Sequence, residues 1–403
     1  MKILFLSDNF PPEVNALATR TYEHCRVWVE QGHDVTVITC FPNFPQGKIY
    51  PGYKNKLYQQ EIIDGIRIIR VWSYIAPNSG FLKRSLDQLS SAFTSGIAGL
   101  FIKNTNCIIA SSPQFFSAWA AFFLSKVKRT PWVFEVRDMW PEGIIFLNKE
   151  SYLYKILEKI ELGLYRSADK IVVVTESFKN SIVRRSKVSP SKIRVIYNGS
   201  NNELLFPREK NQEILRKLKL EDKLIIGYAG TLGISHSLEF IFSEILKITN
   251  SKIHFLFIGD GALRGELEEF MCTHKMLNVT ILDPVGKDEI VDYLSIFDVG
   301  LVPLKKNKAY LKVIPSKTFE LAAMNIPILL GVDGEMRRIL EKYKAGIFFQ
   351  PEDSDSFQVA VDSFYKNRLK VNNTYSQGLN KMRKDFNRRD LALEMIDFLH
   401  NDN

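Results

Sequence analysis

The segment LIIGYAGTLG at residues 224–233 predicts a buried strand, Leu224–Ala229, that runs into a glycine turn. The segment HFLFIGDG at residues 254–261 has the same form, with strand His254–Ile258 followed by two glycines. A helical pattern, Ser237–Ile248, separates the two strands. Because parallel strands need a crossover between them, this order predicts a βαβ unit with both turns at one edge of a sheet.

The same alternation of strand and helix extends through the first half of the chain. It predicts a second parallel sheet, and Asp64-Gly65 between two short apolar runs predicts a hairpin turn. The predicted strands of this half are Lys2–Leu6, Asp34–Thr39, two runs within Glu61–Val71, Cys107–Ala110, Trp132–Val136, Lys170–Thr175 and Ile193–Ile196. The predicted helices are Ala18–Gln31, Leu82–Lys103, Phe115–Lys126 and Tyr152–Ser167.

A polar connector between Asn198 and Asp222 separates the two α/β halves. A single core rarely grows beyond roughly 250–300 residues, so a chain of 403 residues is expected to form two domains. We place the first domain at residues 1–203, the second at 204–378, and one basic amphipathic helix at 379–403. The predicted fold class is α/β, with two Rossmann-like domains facing across a cleft and ligands at the carboxyl ends of the strands.

The composition is that of an ordinary globular protein, with 45% hydrophobic and 25% charged residues. Four scattered cysteines and six scattered histidines show no metal-ligand spacing, so no metal site is predicted. The amino terminus has too short an apolar run for a signal peptide. Ser111-Ser112-Pro113 interrupts the uncharged stretch 104–125, which argues against a membrane span. We therefore expect a cytoplasmic protein.

Positive charge is concentrated in the first half of the chain. Residues 1–200 contain 26 Lys and Arg against 16 Asp and Glu, whereas residues 201–403 contain 28 against 29. The first half is thus where an anionic partner or an acidic membrane surface is expected. A solvated charged face without a partner explains the charge equally well.

Three polar segments follow predicted strands and carry the candidate chemistry. In Ser7–Asn15 the side chains of Asp8, Asn9 and Asn15 are candidates to contact an acceptor, although an ordinary surface loop is an alternative. The segment lacks the G-x-G-x-x-G of a dinucleotide site, which argues against a nicotinamide enzyme.

The second segment, Glu135–Glu142, places three acids, a cation and an indole at the end of a strand. Its carboxylates, Asp138 and Glu142, can bind sugar hydroxyls or take a proton, and Trp140 offers a sugar a flat apolar face. The alternative is a charged loop in which Arg137 pairs with Asp138 or Glu142.

The third segment, Pro315–Met324, begins a helix in the second half. Ser316 fits an N-cap, and Lys317 in the first turn opposes the helix dipole unless an anion lies there. Glu320 is placed to accept hydrogen bonds from two ribose hydroxyls. Gly230 and Gly259, in the two glycine turns, can bring backbone N–H groups against a phosphate. The alternative is a capped helix in which Glu320 offsets the local charge.

With these segments, the whole chain resembles nucleotide-sugar glycosyltransferases of the GT-B fold, in retaining family 4. Ser-Asp-Asn-Phe-Pro-Pro-Glu at 7–13 and Arg-Asp-Met-Trp-Pro-Glu at 137–142 are most similar to bacterial O-antigen and capsule enzymes that transfer N-acetyl-L-fucosamine. The resemblance implies a hexosyltransferase that uses a UDP-sugar as donor and needs no metal or other cofactor.

The resemblance also implies a division of labour between the domains. The first domain would bind the acceptor through Asp8, Asn9, Asn15, Trp140 and Glu142, and the C-terminal helix would cross back onto it. The second domain would bind the donor, with Glu320 on the ribose and Ser316 and Lys317 beside the phosphates. The full donor set is Gly230, Thr231, His236, Gly259, Lys312, Ser316, Lys317 and Glu320. The catalytic residues are expected to be Asp138, Arg137 and Lys317.

Three positions depart from the family pattern. The first acid of the family's usual pair is Lys312 here, and the usual Arg and Lys after the second domain's first strand are replaced near Thr231 and His236. The family's histidine before the loop aspartate is Arg137. We hypothesise that Lys317, assisted by Lys312, supplies the charge that neutralises the diphosphate.

The expected acceptor is an undecaprenyl-diphosphate-linked saccharide, with the enzyme peripheral on the cytoplasmic face of the inner membrane. Phe81-Leu82-Lys83-Arg84 with Ser85–Ile102 predicts either an interfacial helix or a core helix. A UDP-sugar epimerase of the same fold, acting without acceptor, is the alternative function. Nucleic acid is not expected as a partner, because the basic clusters Lys126–Arg129 and Lys305–Lys308 lack interleaved aromatic residues.

Overall fold

The computed structural model describes residues 1–44, 46–75, 81–112, 115–142, 148, 150–286, 288–368 and 371–400. The chain divides into two compact units. Unit 1 comprises Met1–Asn198 and Arg388–Asn403, and unit 2 comprises Gly199–Asn387. The sequence analysis placed the domain boundaries after residues 203 and 378. In the structure they follow Asn198 and Asn387, five residues earlier and nine residues later.

The described residues of unit 1 form an eight-stranded sheet in the order β3-β4-β2-β1-β5-β6-β7-β8. Its strands are β1 Lys2–Leu6, β2 Asp34–Cys40, β3 Tyr58–Ile63, β4 Ile66–Val71, β5 Cys107–Ser111, β6 Trp132–Val136, β7 Lys170–Val173 and β8 Ile193–Val195. Its helices are α1 Ala16–Glu30, α2 Phe81–Leu100, α3 Phe115–Lys128, α4 Tyr152–Ser167 and α5 Glu176–Ser186, followed by the 3₁₀ turn Pro190–Lys192. The predicted hairpin is confirmed, because β3 pairs antiparallel with β4 while the other neighbours are parallel.

The described residues of unit 2 form a six-stranded, all-parallel sheet in the order β11-β10-β9-β12-β13-β14. Its strands are β9 Leu224–Ala229, β10 Ile253–Ile258, β11 Val279–Leu282, β12 Val299–Pro303, β13 Ile328–Gly331 and β14 Gly346–Phe348. Its helices are α6 Gln212–Leu218, α7 Leu238–Ile245, α8 Arg264–Thr273, α9 Ile290–Ser295, α10 Lys317–Ala323, α11 Glu335–Tyr343, α12 Ser354–Lys366 and α13 Val371–Asp385, with 3₁₀ turns Ile234–His236 and Lys308–Lys312. The last helix, α14 Arg388–His400, belongs to unit 1.

Both faces of the unit 1 sheet are buried. Leu4 and Leu6 of β1 pack in one apolar cluster with residues of α2 and α3, whereas Ile3 and Phe5 pack in another with Trp28 of α1 and residues of α14. This alternation follows from the two-residue period of a strand. Among the described residues, no helix combines the length and apolar character needed to span a bilayer.

The single helix predicted over residues 379–403 is wrong, because the chain leaves the helical conformation between α13 and α14. Phe386 is buried, with its ring centroid 4.7 Å from that of Phe319 and 5.6 Å from that of Tyr343. Its carbonyl accepts a hydrogen bond from the backbone of Ser200 at 3.0 Å. Burial of this ring and pairing of this backbone with a neighbouring segment end the helix there.

The sequence analysis missed α11 and α12, and it also missed two short and mostly polar helices, α5 and α6. Both begin at a side-chain cap: Thr175 accepts from the backbone of Phe178 at 3.1 Å, and Asn211 accepts from Glu213 and Ile214 at 3.1 Å. Their sequences are mostly polar, so the apolar spacing that indicates a helix is weak. Here the caps, rather than the hydrophobic pattern, mark the helix starts.

Candidate active site

Two glycine turns meet at the carboxyl edge of the unit 2 sheet. Gly230 follows β9 with a φ of +140°, and Gly259 follows β10 with a φ of +149°. The Gly230 N–H donates to the carbonyl of Ile258 at 2.9 Å, and the Gly259 N–H donates to that of Leu282 at 3.1 Å. A Cβ atom on Gly259 would overlap the Gly230 carbonyl oxygen. The close approach of the two turns therefore requires glycine at 259.

The Lys317 side chain reaches from the start of α10 to the Gly230 turn. Its Nζ atom is buried and lies 3.6 Å from the centroid of the Tyr228 ring, a cation–π contact. It also lies 3.1 Å from the position that a Cβ of Gly230 would occupy. Within the described part of the chain, no acceptor hydrogen-bonds to this Nζ. An ammonium group with three donors is thus enclosed without the oxygen atoms that normally compensate its burial.

Burial controls the protonation of the groups around Lys317. It lowers the pKa of Lys317 from 10.5 to about 7, and the nearby carboxylate of Glu320 only partly opposes the shift. It also lowers the pKa of His236 to about 4, with the Lys317 charge adding to the effect. His236 is therefore neutral near pH 7, and the protonation of Lys317 depends on whether an anion is present.

The remaining predicted donor residues lie around the same edge of unit 2. Thr231 is exposed, and its carbonyl accepts a hydrogen bond from the Tyr228 hydroxyl at 2.5 Å. Glu320 lies in the first turn of α10, and Lys312 is the last residue of the 3₁₀ turn Lys308–Lys312. Lys317 thus contacts Tyr228 and the Gly230 turn. It also lies close enough to His236 and Glu320 for their charges and that of Lys317 to affect one another's pKa values.

The predicted N-cap role of Ser316 is wrong. Ser316 has helical backbone angles, φ −59° and ψ −32°, and its side chain caps no backbone N–H. Its carbonyl instead accepts from Phe319 at 2.9 Å, while the Thr318 hydroxyl donates to the carbonyl of Pro315. Because α10 has only seven residues, its dipole adds little, and the buried Lys317 ammonium provides the main positive charge.

In unit 1, Asp8 follows β1 and is held by two helices. Its Oδ1 atom accepts hydrogen bonds from the Ser117 hydroxyl of α3 at 2.8 Å and the Ser91 hydroxyl of α2 at 3.2 Å. Burial raises the pKa of Asp8 to about 7, and the serine hydroxyls partly oppose that effect. The nearby charge of Asp87 raises it further. Asp8 therefore titrates near neutral pH.

The rest of this loop is organised by Glu13, which the sequence analysis did not single out. Glu13 is buried, and its carboxylate accepts from the Asn9 side chain at 3.1 Å and from the backbones of Asn43 and Phe44 at 2.8 Å. Asn15 is the N-cap of α1, where its Oδ1 accepts from Ala18 at 2.8 Å. In the described residues the Nδ2 atom of Asn15 is buried without an acceptor.

The Arg137–Asp138 loop is held by Ser112, another residue that sequence reasoning missed. The Ser112 hydroxyl accepts from the backbones of Arg137 at 2.8 Å and Asp138 at 3.1 Å. The Arg137 guanidinium donates to the carbonyl of Ala16 at 3.0 Å, and its Nε and Nη1 atoms are buried without acceptors among the described residues. Burial lowers the pKa of Arg137 to about 10. Desolvation raises the pKa of Asp138, and the Arg137 charge opposes this shift.

Trp140 and Glu142 are both half-buried. Trp140 packs against the apolar cluster that contains α3 and β6, so only part of its ring is open to solvent. Glu142 lies near Tyr154 and Tyr165, whose pKa values its charge helps to raise. Over the described ranges, no three His, Cys, Asp or Glu side chains are arranged to hold a metal ion. Metal-independent and cofactor-free chemistry stays a prediction.

Two family models match the chain, one in each half. The model described as Glycosyltransferase Family 4 matches residues 17–204, and the model described as Glycosyl transferases group 1 matches residues 223–367. Each half of the chain is thus similar to a glycosyltransferase family. The Arg137–Asp138 loop lies within the first matched region, and Lys317 lies within the second.

The chain is also similar, at low sequence identity, to several bacterial glycosyltransferases. The chain is 26% identical to the probable glycosyltransferase WbjE of Pseudomonas aeruginosa over 57% of this chain and 59% of that protein. It is 23% identical to the putative colanic acid biosynthesis glycosyl transferase WcaI of Escherichia coli K12, over 90% of this chain and 91% of that one. The WbjE match thus spans under two thirds of that relative.

Solved structures confirm the predicted fold class. Sucrose-phosphate synthase of Thermosynechococcus elongatus matches with a TM-score of 0.78 at 15% identity, over 99% of this chain and 98% of that one. Anabaena Alr3699/HepE, in complex with UDP and glucose, matches with a TM-score of 0.71 at 12% identity, over 99% of both chains. The fold is GT-B.

Proposed function

We propose that this protein transfers a hexose, with N-acetyl-L-fucosamine as the best candidate, from a UDP-sugar to an undecaprenyl-diphosphate-linked saccharide. The observation that carries the proposal is the buried Lys317 ammonium, which lies beside the Gly230 turn and has no acceptor among the described residues. A diphosphate supplies the negative oxygens that this environment lacks.

The nucleoside diphosphate leaves with additional negative charge in the transition state, so a fixed cation at that position accelerates its departure. Lys317 is suited to this role since its surroundings exclude water, which strengthens its interaction with phosphate. Lys312 is proposed to assist, and Ser316 to lie beside the phosphates. Glu320 is proposed to bind the ribose hydroxyls. UDP is the preferred nucleotide because HepE, which shares the fold, was solved with UDP and glucose.

Unit 1 is proposed to bind the acceptor saccharide. Asp8 and Asn15 provide a carboxylate and an amide at the carboxyl end of β1, and Asn9 and Glu142 provide further polar groups. The open part of the Trp140 ring is a surface for a sugar. Arg137 and Asp138 are the proposed catalytic residues of this unit, where the unpaired guanidinium nitrogens can bind an anionic group of either substrate.

The biological role that fits this chemistry is the synthesis of O-antigen or capsule polysaccharide. The relative named for colanic acid biosynthesis supports a polysaccharide product. The proposal includes retention of anomeric configuration, no metal requirement, and a location on the cytoplasmic face of the inner membrane. The epimerase alternative has no observation in its favour, since the matched families and named relatives are glycosyltransferases.

The first experiment is a thermal-shift panel of nucleotides and UDP-sugars on the purified protein. UDP and a UDP-N-acetyl-deoxyhexose are expected to raise the melting temperature, because a ligand of the folded state stabilises it. UDP release is then measured with and without the lipid-linked saccharide. Release that needs the acceptor supports transfer, whereas isomerisation of the UDP-sugar without acceptor supports the epimerase.

The Lys317→Ala variant tests the carrying observation. We expect turnover to fall by about 100-fold or more, as for other groups that stabilise a developing anion. Lys217→Ala is the matched control, because Lys217 is an exposed lysine of α6 in the same unit. Near-normal turnover of Lys317→Ala would remove Lys317 from the mechanism.

A further inference from the structure

The outer face of α2 is apolar along most of its length. Of the α2 side chains that the structure describes, those exposed after Lys83 are all apolar. They are Leu86, Leu89, Phe93, Ile97 and Leu100, with Phe101 directly after the helix. Phe93 and Phe101 are 69% and 77% exposed, which is unusual for phenylalanine on the surface of a protein that stays in water.

The neighbouring helix α3 continues this surface. Trp119, Phe123 and Val127 are exposed at intervals of four residues, so they lie along one side of the helix. The two helices pack closely, since a Cβ on Gly96 would lie 3.9 Å from the Cβ of Ala120. We call the set Leu86, Leu89, Phe93, Ile97, Trp119, Phe123 and Val127 the α2–α3 apolar face.

This face is additional to the hydrophobic core. The inner side of the helix pair, including Ala92, Ala118 and Leu124, is already buried against the unit 1 sheet. The sequence analysis left open whether α2 is a core helix or an interfacial helix. The helix packs on the core and still presents an apolar outer side, so it has features of both. The side chains of Phe81, Leu82 and Arg84, part of the predicted interfacial motif, lie outside the described residues. A contiguous exposed apolar surface of this kind marks an interaction site.

The charges around the face are positive. Lys83 lies near the start of α2, Lys103 follows its end, and Lys126 and Arg129 lie at the end of α3, all exposed. The sequence of α3 contains no acid, and the single acid of α2, Asp87, is not among its exposed residues. An apolar surface with exposed aromatic residues and a basic rim is complementary to the interface of an anionic bilayer.

We propose that the α2–α3 apolar face docks unit 1 onto an anionic lipid bilayer. The inference deepens the proposed function, since it identifies the surface by which a lipid-linked acceptor is reached. The Ser91 and Ser117 hydroxyls of the same two helices hold the Asp8 carboxylate of the proposed acceptor loop. Docking through these helices therefore anchors at the membrane the two elements that hold the acceptor loop.

The test is flotation of the purified full-length protein with vesicles, without any substrate. Vesicles of phosphatidylcholine with roughly one-third phosphatidylglycerol are compared with phosphatidylcholine alone. The wild-type protein is expected to float with the anionic vesicles. The Phe93→Ser/Phe123→Ser double variant is expected to lose at least about tenfold in the partition coefficient, because two large apolar side chains no longer enter the interface.

The matched control is Leu57→Ser/Ile62→Ser, which removes two apolar residues of unit 1 that are also exposed, at 81% and 69%, but lie outside the face. It is expected to float like wild type. Lys126→Glu/Arg129→Glu is expected to weaken binding to the anionic vesicles only. Both Ser variants are expected to keep the wild-type melting temperature, since they change exposed positions.

Equal flotation of the Phe93→Ser/Phe123→Ser variant and wild type overturns the inference, and so does absence of wild-type flotation. A wild-type dimer that the same variant dissociates in sedimentation velocity assigns the face to a second copy and also overturns it. The UDP thermal shift is measured in parallel. Protein that responds to UDP but does not float refutes only the docking, and protein that floats without a UDP response refutes only the proposed donor.

Discussion

Unit 1 and unit 2 each bury a cationic side chain near the carboxyl edge of their sheet. In unit 1 a carboxylate pairs with the cation, whereas in unit 2 no described acceptor does. In unit 1, Arg20 of α1 forms an ion pair with Glu135 of β6 and donates to the carbonyl of Ile196 at 3.0 Å. In unit 2, the buried ammonium of Lys317 rests on the Tyr228 ring and has no hydrogen-bond acceptor in the residues described.

The difference lies in how far each charge is compensated within the fold. Arg20 has a carboxylate partner and a carbonyl acceptor inside unit 1, so its charge is compensated within the fold, although its Nε has no acceptor among the described residues. Lys317 bears an uncompensated desolvation cost in the free protein. A group that costs stability in the free protein and is complementary to an anion is typical of a binding site. Four predictions test this contrast.

The largest effect is expected for Glu135→Ala. The variant leaves Arg20 buried without its partner, which costs about 3–5 kcal/mol of unfolding free energy for unit 1. Urea unfolding followed by tryptophan fluorescence measures the loss. The UDP thermal shift is expected to persist wherever the protein remains folded, since Lys317 lies in the other unit.

Glu394→Ala is the control for Glu135→Ala. Glu394 pairs with Arg194 in the same unit, but both side chains are about half exposed, at 45% and 50%. Its loss is expected to cost less than about 1 kcal/mol. Equal effects of the two variants would contradict a structural role for the buried pair.

Lys317→Met is expected to weaken UDP binding without lowering the stability of unit 2, which is the reverse of the Glu135→Ala effect. UDP affinity falls by about 100-fold, or about 2.7 kcal/mol, because a charge-assisted contact to phosphate is lost. The unfolding free energy of unit 2 stays equal or rises, since an unpaired buried ammonium is removed. Calorimetric titration with UDP and urea unfolding measure the two quantities.

The pH dependence gives a second measurement on Lys317. Burial lowers the pKa of Lys317 to about 7 from 10.5, so the unfolded chain binds more protons between these pH values. The stability of unit 2 is therefore expected to gain a contribution that increases as the pH rises from about 7 to 10.5. Lys317→Met should lack this contribution. The same pH slope in both proteins would show that Lys317 is not the group concerned.

Gly259→Ala tests whether the two glycine turns beside this site must pack closely. The added Cβ would overlap the Gly230 carbonyl oxygen, at a φ of +149° that only glycine adopts readily. We expect a loss of about 2 kcal/mol or more and a weaker UDP thermal shift. Gly265→Ala in α8 is the control, because nothing lies near its Cβ and alanine favours the helix. A neutral Gly259→Ala would show that the turns are not tightly packed.

The smallest effect is expected for Asp8→Asn. Burial raises the pKa of Asp8 to about 7 from 3.8, so ionisation destabilises the folded state, and the penalty is fully present above pH 7. The variant should gain about 1 kcal/mol at pH 8 and nothing near about pH 2.5, where Asp8 is neutral in both states. Urea unfolding at the two pH values measures the difference. An equal change in unfolding free energy at both pH values would contradict a raised pKa for Asp8.

The strongly apolar elements were predictable, because their periodicity is local. β1, β6 and α4 have the predicted bounds Lys2–Leu6, Trp132–Val136 and Tyr152–Ser167. The polar helix α5 was not found, and the break at Phe386 depends on a ring stack and a backbone hydrogen bond with residues distant in sequence. Such contacts leave no periodic signal.

For the candidate site, the sequence by itself determined which residue types follow the strands: glycines after β9 and β10, Asp8 after β1, and a lysine at the start of α10. Spacing along one chain carries this information. Only the tertiary structure decided that Ser316 caps nothing, that Glu13 and Ser112 hold the loops, and that Lys317 lies enclosed on Tyr228. The physical reason is that burial and hydrogen-bond partners are properties of the folded chain, since residues far apart in sequence supply them.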